Sequence, residues 1–332
     1  MSFDHSISRR SVFKGAGGLA VASALGAGAA LGATTPAHAA GLDVVEHRTY
    51  GRMEYYKVST PSIAWKPRVN VLLPDGYDSG RRYPVLYLLH GGAQNFMKFD
   101  KEDDIRGLTA GRDLIVVMPD GGIAGWYCNP VTANLGPRNW ETFHIEELIP
   151  WVDATFRTFP EQAGRAVSGF SMGGFGALKY NAKYSNYFAS VSAHSGPANL
   201  RSHNYAIVRW ANVSSALVEL SGGTIYGAPK RSWRQDLISA DNPMENLESY
   251  RNKRLFLVSG NNRDIINFQI IGIISSALNE HFVRETQREF AAALDSAGIK
   301  YERYEEQGGH FVRPERLQQD IDGIIAHLRK AE

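Results

Sequence analysis

The chain of 332 residues contains one cysteine, Cys128, and has almost no excess of either charge. A single cysteine excludes an intramolecular disulfide, so the hydrophobic core must stabilise the fold without covalent cross-links. The 36 Lys and Arg residues nearly balance the 34 Asp and Glu residues. Nucleic acids and anionic membranes bind to clustered basic faces, so we expect neither as a partner. The sequence also lacks internal repeats and, after residue 40, low-complexity linkers, which argues against a second folded domain.

The first forty residues have the order of an export signal. A basic start with Arg9 and Arg10 precedes a Gly- and Ala-rich apolar run, and the sequence A-H-A at 37–39 stands before Ala40. The paired arginines indicate the twin-arginine route, which carries folded proteins. A membrane anchor over residues 15–31 is the alternative, but Gly and Ala dilute this run and a cleavage site follows it. We therefore predict a signal peptide at 1–39, one domain at 40–332, no integral membrane segment after cleavage, and a secreted or cell-wall-associated protein.

Short apolar runs alternate with helical patterns along the rest of the chain. The runs lie at 69–73, 85–89, 114–118, 166–168, 188–193 and 255–258. Continuous apolar runs bounded by Gly, Pro and Asp indicate strands buried on both faces, which is typical of a parallel sheet. Apolar residues recur at helical spacing within 145–156, 282–294 and 317–328. The sequence therefore predicts an α/β fold with a mostly parallel central sheet flanked by helices. Residues 194–250 fit this pattern poorly, and we expect them to cross the carboxyl edge of the sheet.

The sequence G-F-S-M-G at 169–173 lies between a strand-like segment and a helix-forming stretch. In the α/β-hydrolase fold, glycines around the serine let the strand and the helix approach closely, and a strained turn lifts the hydroxyl clear of the sheet. An ordinary Gly/Ser loop that caps a helix is the alternative. The context on both sides favours the first interpretation, which predicts an α/β-hydrolase fold with Ser171 as the nucleophile that attacks an ester carbonyl.

The apolar run at 85–89 ends in H-G-G at 90–92, which is similar to the oxyanion-hole motif of esterases and lipases. Acyl transfer places negative charge on the former carbonyl oxygen, and backbone N–H groups already aimed at that oxygen stabilise it. We predict that these groups are the amides of Gly92 and Met172. His90 is not expected to act as a base, because a side chain in this turn shapes the loop.

The predicted general base is His310, which lies in G-G-H-F at 308–311. It follows a short predicted strand at 301–304, and in this fold the catalytic residues occur in the order serine, acid, histidine. An imidazole pKa near neutrality suits proton transfer. Two acids are candidates for orienting the imidazole: Asp264, soon after the run at 255–258, and Glu280 further along. The pattern alone favours Asp264. This chemistry requires no metal and no organic cofactor.

Five motifs together resemble the antigen 85 mycolyltransferases and related secreted esterases of actinobacteria. That family carries Y-L-L-D-G, W-E-T-F, G-x-S-M-G-G, L-E-N-F-V-R and G-x-H-S-W. The chain has, in the same order, Y-L-L-H-G at 87–91, W-E-T-F at 140–143, G-F-S-M-G-G at 169–174, L-N-E-H-F-V-R at 278–284 and G-H-F-V at 309–312. The likeness spans most of residues 70–312. It implies the α/β-hydrolase fold and transfers the role of the acid from Asp264 to Glu280.

Three positions depart from that family. His90 replaces its aspartate, its nearby arginine has no counterpart around Ala93, and Val312 replaces its tryptophan. Sugar sites rely on polar pairing and aromatic stacking, so these losses disfavour transfer to trehalose. We predict a secreted serine esterase for a small-molecule, lipid or carbohydrate ester. Acyl transfer to a sugar and a catalytically silent carbohydrate-binding homologue are the alternatives. Four aromatic residues are candidates for lining the acyl or alcohol subsite: Trp126, Tyr127, Trp210 and Trp233.

Overall fold

The computed structural model describes residues 41–78, 80–228, 233–261 and 274–332, with the backbone alone at 274–279. The predicted signal peptide at 1–39 and Asp264 lie outside these ranges. Within them, no helix combines the length and the apolarity that a membrane span requires.

The described residues form one twisted sheet of nine strands. The strands are β1 (Asp43–Tyr50), β2 (Met53–Ser59), β3 (Arg68–Leu72), β4 (Val85–Leu89), β5 (Ile115–Pro119), β6 (Arg165–Phe170), β7 (Ser190–His194), β8 (Arg254–Gly260) and β9 (Glu302–Glu306). Their order is β1-β2-β3-β5-β4-β6-β7-β8-β9. The strands from β5 to β9 in this order run parallel, whereas β1, β2 and β3 extend the sheet in antiparallel fashion. The predicted fold class is therefore confirmed.

Helices cover both faces of the sheet. They are α1 (Lys98–Lys101), α2 (Ile105–Leu108), α3 (Trp140–Thr142), α4 (Ile149–Thr155), α5 (Met172–Lys183), α6 (Ser202–Val218), α7 (Gln235–Asp241), α8 (Ile274–Ser296) and α9 (Pro314–His327). A π-helical segment, Phe143–Leu148, joins α3 to α4. One core cluster contains Trp151 of α4, Phe175 of α5 and Phe290 of α8. The other contains Ile105 of α2 and Leu317 of α9, which places these helices on the opposite face.

The described part of residues 194–250 forms α6, α7 and two 3₁₀ turns, Pro243–Glu245 and Leu247–Tyr250, between β7 and β8. Trp210 and Val218 of α6 line a cavity next to the carboxyl end of β6. This segment, which we call the excursion, therefore crosses the carboxyl edge of the sheet, as the sequence predicts.

Candidate active site

Ser171 occupies a sharp turn between β6 and α5. Its backbone has φ 56° and ψ −116°, a conformation that a residue with a side chain adopts only under strain. A Cβ atom on Gly169 would overlap the carbonyl oxygen of Gly173, and one on Gly173 would overlap that of Leu89. The two glycines are therefore required for the close approach of strand and helix. The amide of Ser171 donates to the carbonyl of His194 at 2.8 Å, which ties the turn to β7.

The side chains of Ser171, His310 and Glu280 lie in one hydrogen-bonded row. Nε2 of His310 is 2.7 Å from Oγ of Ser171, and Nδ1 is 2.5 Å from Oε2 of Glu280. Glu280 is 1% exposed and Ser171 is 7% exposed, so bulk water has little access to the row. Of the two candidate acids, Glu280 contacts the imidazole, while Asp264 lies outside the described residues.

The second carboxylate oxygen of Glu280 has its own donors. Oε1 accepts a hydrogen bond from the hydroxyl of Ser195 at 3.0 Å and another from the amide of Gly260. Ser195 directly follows β7, and Gly260 ends β8. The carboxylate is thus fixed by the ends of two neighbouring parallel strands, although the residue itself belongs to α8.

Arg313 orders the loop that carries His310. Its guanidinium donates to the carbonyls of Gly309 at 2.9 Å and Phe311 at 3.1 Å, and it lies over the ring of Phe311. Burial lowers the pKa of Arg313, an effect that the nearby carboxylate of Glu280 opposes. The sequence analysis missed this residue, although a basic residue soon after a glycine-flanked histidine was a signal that could have suggested it.

Gly92 and Met172 both line the cavity above Ser171. Met172 is the first residue of α5, where a helix leaves its N–H groups without partners inside the helix. In the turn after β4, the amides on both sides of Gly92 have other acceptors. Gly91 donates to Oε1 of Gln94 at 2.9 Å, and Ala93 donates to the carbonyl of Ile123 at 2.8 Å. This arrangement fits the predicted pair of oxyanion donors.

His90 is fully enclosed and has a partner for each ring nitrogen. Nδ1 donates to the carbonyl of Gly91 at 2.7 Å, and Nε2 accepts from the amide of Gly121 at 2.8 Å. Burial lowers the pKa of His90 to about 4, so the ring is neutral at neutral pH. The residue therefore joins two loops beside the cavity, in agreement with the predicted shaping role. Val312, at another of the three departures from the family pattern, is buried in the core that α9 covers.

The cavity above Ser171 has a volume of about 440 Å³ and mostly apolar walls. Trp126 and Trp210 line it, with their rings 5.0 Å apart and nearly perpendicular. Tyr127, by contrast, is buried and donates its hydroxyl to the carbonyl of His90 at 2.8 Å. Trp233 packs against Tyr205 and is not one of the described residues around the cavity. Two of the four predicted aromatic residues therefore line the cavity and two do not, because the side chain of Tyr127 turns into the core and Trp233 packs against Tyr205 instead.

Glu219, directly after α6, connects that helix to the cavity wall. Oε2 accepts from the amide of Ile123 at 3.0 Å, and Oε1 accepts from the indole of Trp140 at 3.1 Å. The carbonyl of Ile123 in turn accepts from Ala93, next to Gly92. Burial raises the pKa of Glu219. The sequence analysis missed this residue because its partners lie 79 and 96 positions away.

Comparison with known proteins identifies the family. The Esterase family model matches residues 60–326. Esterase Rv1288 of Mycobacterium tuberculosis (strain ATCC 25618 / H37Rv) is 56% identical over 283 residues, and the aligned part is 84% of this chain and 60% of that protein. Esterase MT1326 of strain CDC 1551 / Oshkosh gives the same values. The chain thus spans about 60% of the length of the curated relatives it matches.

Two solved structures share the fold. MPT51 (FbpC1) of Mycobacterium tuberculosis superposes with a TM-score of 0.66 and 18% identity, over 86% of this chain and 99% of that one. An S-formylglutathione hydrolase from Agrobacterium tumefaciens superposes with a TM-score of 0.65 and 15% identity, over 86% and 100% of the two chains. The family match and the shared architecture agree with the resemblance drawn from the motifs, and the chain belongs to the Esterase family of α/β-hydrolases.

Proposed function

We propose that this chain is a secreted serine esterase that hydrolyses carboxylic esters through an acyl-enzyme on Ser171. Membership of the esterase family supports the reaction class. The observation that carries the serine mechanism is the row of hydrogen bonds from Ser171 through His310 to Glu280. Such a row is the arrangement that activates a hydroxyl nucleophile at neutral pH.

The first half-reaction forms the acyl-enzyme. Nε2 of His310 takes the hydroxyl proton while Oγ of Ser171 bonds to the ester carbonyl carbon, and Glu280 stabilises the resulting imidazolium. The negative charge on the former carbonyl oxygen meets the amides of Gly92 and Met172. When the tetrahedral intermediate collapses, the bond to the alcohol oxygen breaks, and that oxygen receives the proton from His310.

The second half-reaction releases the acid. A water molecule gives its proton to His310 and attacks the acyl carbon, and the proton then returns to Oγ of Ser171 as the acyl–oxygen bond breaks. The apolar cavity walls, including Trp126 and Trp210, support burial of the acyl group. Hydrolysis is favoured over transfer because His90, buried and neutral, stands where the related mycolyltransferases have an aspartate for the sugar acceptor.

The nucleophile is tested with Ser171→Ala. We expect hydrolysis of short-chain p-nitrophenyl esters to fall by about 10³-fold or more and labelling by a fluorophosphonate probe to disappear. Ser296→Ala, which removes an exposed hydroxyl from α8, is the control and should retain both. Full esterase activity in Ser171→Ala would disprove the mechanism. If the wild-type protein is neither labelled by the probe nor active, the chain is the catalytically silent homologue. Acylated trehalose or glycerol among the products would instead identify a transferase.

The secreted location is a further part of the proposal and depends on residues 1–39, which precede the described domain. Esterase activity should appear in the culture medium or the cell wall of a producing actinobacterium. Activity confined to the cytoplasm would contradict export.

A further inference from the structure

A second concavity, larger than the cavity above Ser171, lies on the exposed face of β1, β2 and β3. Its volume is about 750 Å³. Strand register places Lys57 beside both Glu46 and Arg68, and places Tyr55 beside Arg48, so these side chains share one face. We call this concavity the basic groove. Its far wall is formed by residues 95–97, Lys101 and Arg106.

Cations outnumber anions in the basic groove by five to two: Arg48, Lys57, Arg68, Lys101 and Arg106 against Glu46 and Asp100. Internal ion pairs use part of this charge, since Arg48 pairs with Glu46 at 2.5 Å and Arg106 pairs with Asp100 at 2.5 Å. Within the described ranges, neither Lys57 nor Arg68 forms an ion pair. Two cationic side chains that face the same groove are thus available to an anionic ligand.

Aromatic rings lie among these cations. The rings of Tyr55 and Phe96 are 5.8 Å apart, and the guanidinium of Arg68 is 5.9 Å from the ring of Phe96. Tyr50 lines the other end of the groove and is 52% exposed. Phe96 itself is buried beneath the groove, so Tyr55, which is half-buried, and Tyr50 offer the accessible aromatic surface. Aromatic surface next to cations suits a ligand that combines flat apolar faces with negative groups, as the pyranose rings of an acidic sugar chain do.

The basic groove begins close to the candidate active site. Residues 92–94 line the cavity above Ser171, and residues 95–97 line the groove. The buried carboxylate of Asp120, directly after β5, accepts from the amide of Arg68 at 2.9 Å and from that of Phe96 at 3.3 Å. Arg68 therefore lies at the carboxyl edge of the sheet, the edge at which Ser171 follows β6. From there the groove extends along β2 and β3 toward the opposite edge.

We propose that the basic groove binds an acidic oligosaccharide, a sugar chain carrying carboxylate or phosphate groups, that forms the alcohol part of the ester substrate. This inference rests on the proposed esterase function. The anionic groups pair with Lys57 and Arg68, and sugar rings pack against Tyr50 and Tyr55. A single-stranded nucleic acid fits less well, because Glu46 and Asp100 would repel a ligand with a phosphate at every unit.

Binding is measured by calorimetry on the purified protein with three probes: tetragalacturonate, a phosphorylated maltotetraose and neutral maltotetraose. We expect at least one acidic probe to bind and to weaken as salt rises, and the neutral probe to bind at least about tenfold more weakly. Tighter binding of tetragalacturonate would identify carboxylate as the recognised group, and tighter binding of the phosphorylated maltotetraose would identify phosphate. Lys57→Ala/Arg68→Ala should weaken the acidic probe by about tenfold or more.

Arg157→Ala/Lys300→Ala removes two exposed cations elsewhere and should leave binding unchanged. Both double variants should keep full activity on p-nitrophenyl acetate, which shows that they are folded and that the groove does not serve the chemistry itself. The proposal is overturned if no acidic sugar binds, if Lys57→Ala/Arg68→Ala binds like the wild type, or if an oligothymidylate binds more tightly than the sugars. Binding retained in a protein without esterase activity would overturn only the proposed function.

Discussion

At the scale of single residues, the acid is the position that the sequence pattern and the family resemblance assign differently. Asp264 follows β8, which is where the pattern places the acid, whereas Glu280 belongs to α8. The carboxylate of Glu280 nevertheless reaches back to Gly260 at the end of β8 and to the imidazole of His310. A residue of a helix can therefore place its carboxylate at the end of β8, where the pattern expects the acid. This placement depends on tertiary packing, which cannot be read from the local sequence pattern.

Glu280→Gln should lower kcat by about 10²- to 10⁴-fold, because a neutral amide cannot stabilise the imidazolium. Asp264→Asn should keep kcat within a few-fold of the wild type. Steady-state kinetics on a p-nitrophenyl ester measures both, and circular dichroism verifies that both variants fold. An equal or larger loss in Asp264→Asn would reverse the assignment of the acid.

The sequence predicted Ser171 and His310 because nearby glycines leave a local signature. Gly169 and Gly173 allow the close approach of strand and helix at Ser171, and Gly308, two residues before His310, has a φ of 106°. Glu219 leaves no such signature, because the amide that it contacts lies 96 positions away in the chain. Residues that position a site through long-range hydrogen bonds become visible only when the fold brings the partners together.

At the scale of elements, the strands with apolar runs and β9 were predicted, whereas β1 and β2 were not. β4 and β5 are buried at every position, and each is a continuous apolar run. β1 is exposed at nearly every residue and β2 alternates only partly, so neither has a clear apolar pattern. Backbone pairing of β1 with β2 and of β2 with β3 holds these two strands in the sheet, and pairing of this kind is not encoded in hydrophobicity.

Glu219 links α6 to the turn around Gly92, because it accepts a hydrogen bond from Ile123, whose carbonyl accepts one from Ala93. This link predicts a kinetic effect for Glu219→Gln. A glutamine has one carbonyl for two donors, Ile123 and Trp140, so one buried N–H loses its acceptor at a cost of about 1–3 kcal/mol. The turn around Gly92 then loses part of its support through Ile123 and Ala93. We expect kcat on short esters to fall about tenfold or more with a smaller change in KM.

Glu245→Gln is the matched control, because Glu245 also lies in the excursion but pairs with Arg201 away from the cavity. Kinetics and the urea midpoint are measured for both variants. A Glu219→Gln protein that is less stable but has wild-type kcat would show that the contact is structural and does not position the site.

At the scale of the whole molecule, four buried titratable groups make stability depend on pH in one direction. Burial lowers the pKa of His90 to about 4 and that of His144 to about 3. Burial alone would raise the carboxyl pKa values, but Lys179 and Lys183 lower the pKa of Glu141 to about 2. The hydrogen bond to His194, together with the charge of Arg254, lowers the pKa of Asp320 to about 2. In the unfolded chain the same groups titrate near 6.5 for histidine and about 4 for the carboxyls.

Every one of these folded-state pKa values lies below the unfolded value, so the unfolded state binds more protons as the pH falls. The pKa values of Asp103, Asp120 and Glu219 are raised by burial and act in the opposite direction over the carboxyl range, but no other described histidine opposes His90 and His144 between pH 6.5 and pH 4. The free energy of unfolding should therefore decrease as the pH falls from about 6.5 to 4. Urea midpoints measured from pH 7.5 to pH 3 test this, with the m-value showing that unfolding exposes the same surface throughout. A midpoint that stays constant between pH 7 and pH 4 would contradict it.

The proposed nucleophile, Ser171, and the proposed general base, His310, are 139 positions apart in the chain, and β9, which pairs with β8, lies just before His310. Under the proposed mechanism, truncated fragments and partly folded chains that cannot bring the two residues together should not turn over substrate. The rate of ester cleavage should then be a direct assay of how many molecules in a preparation have completed folding.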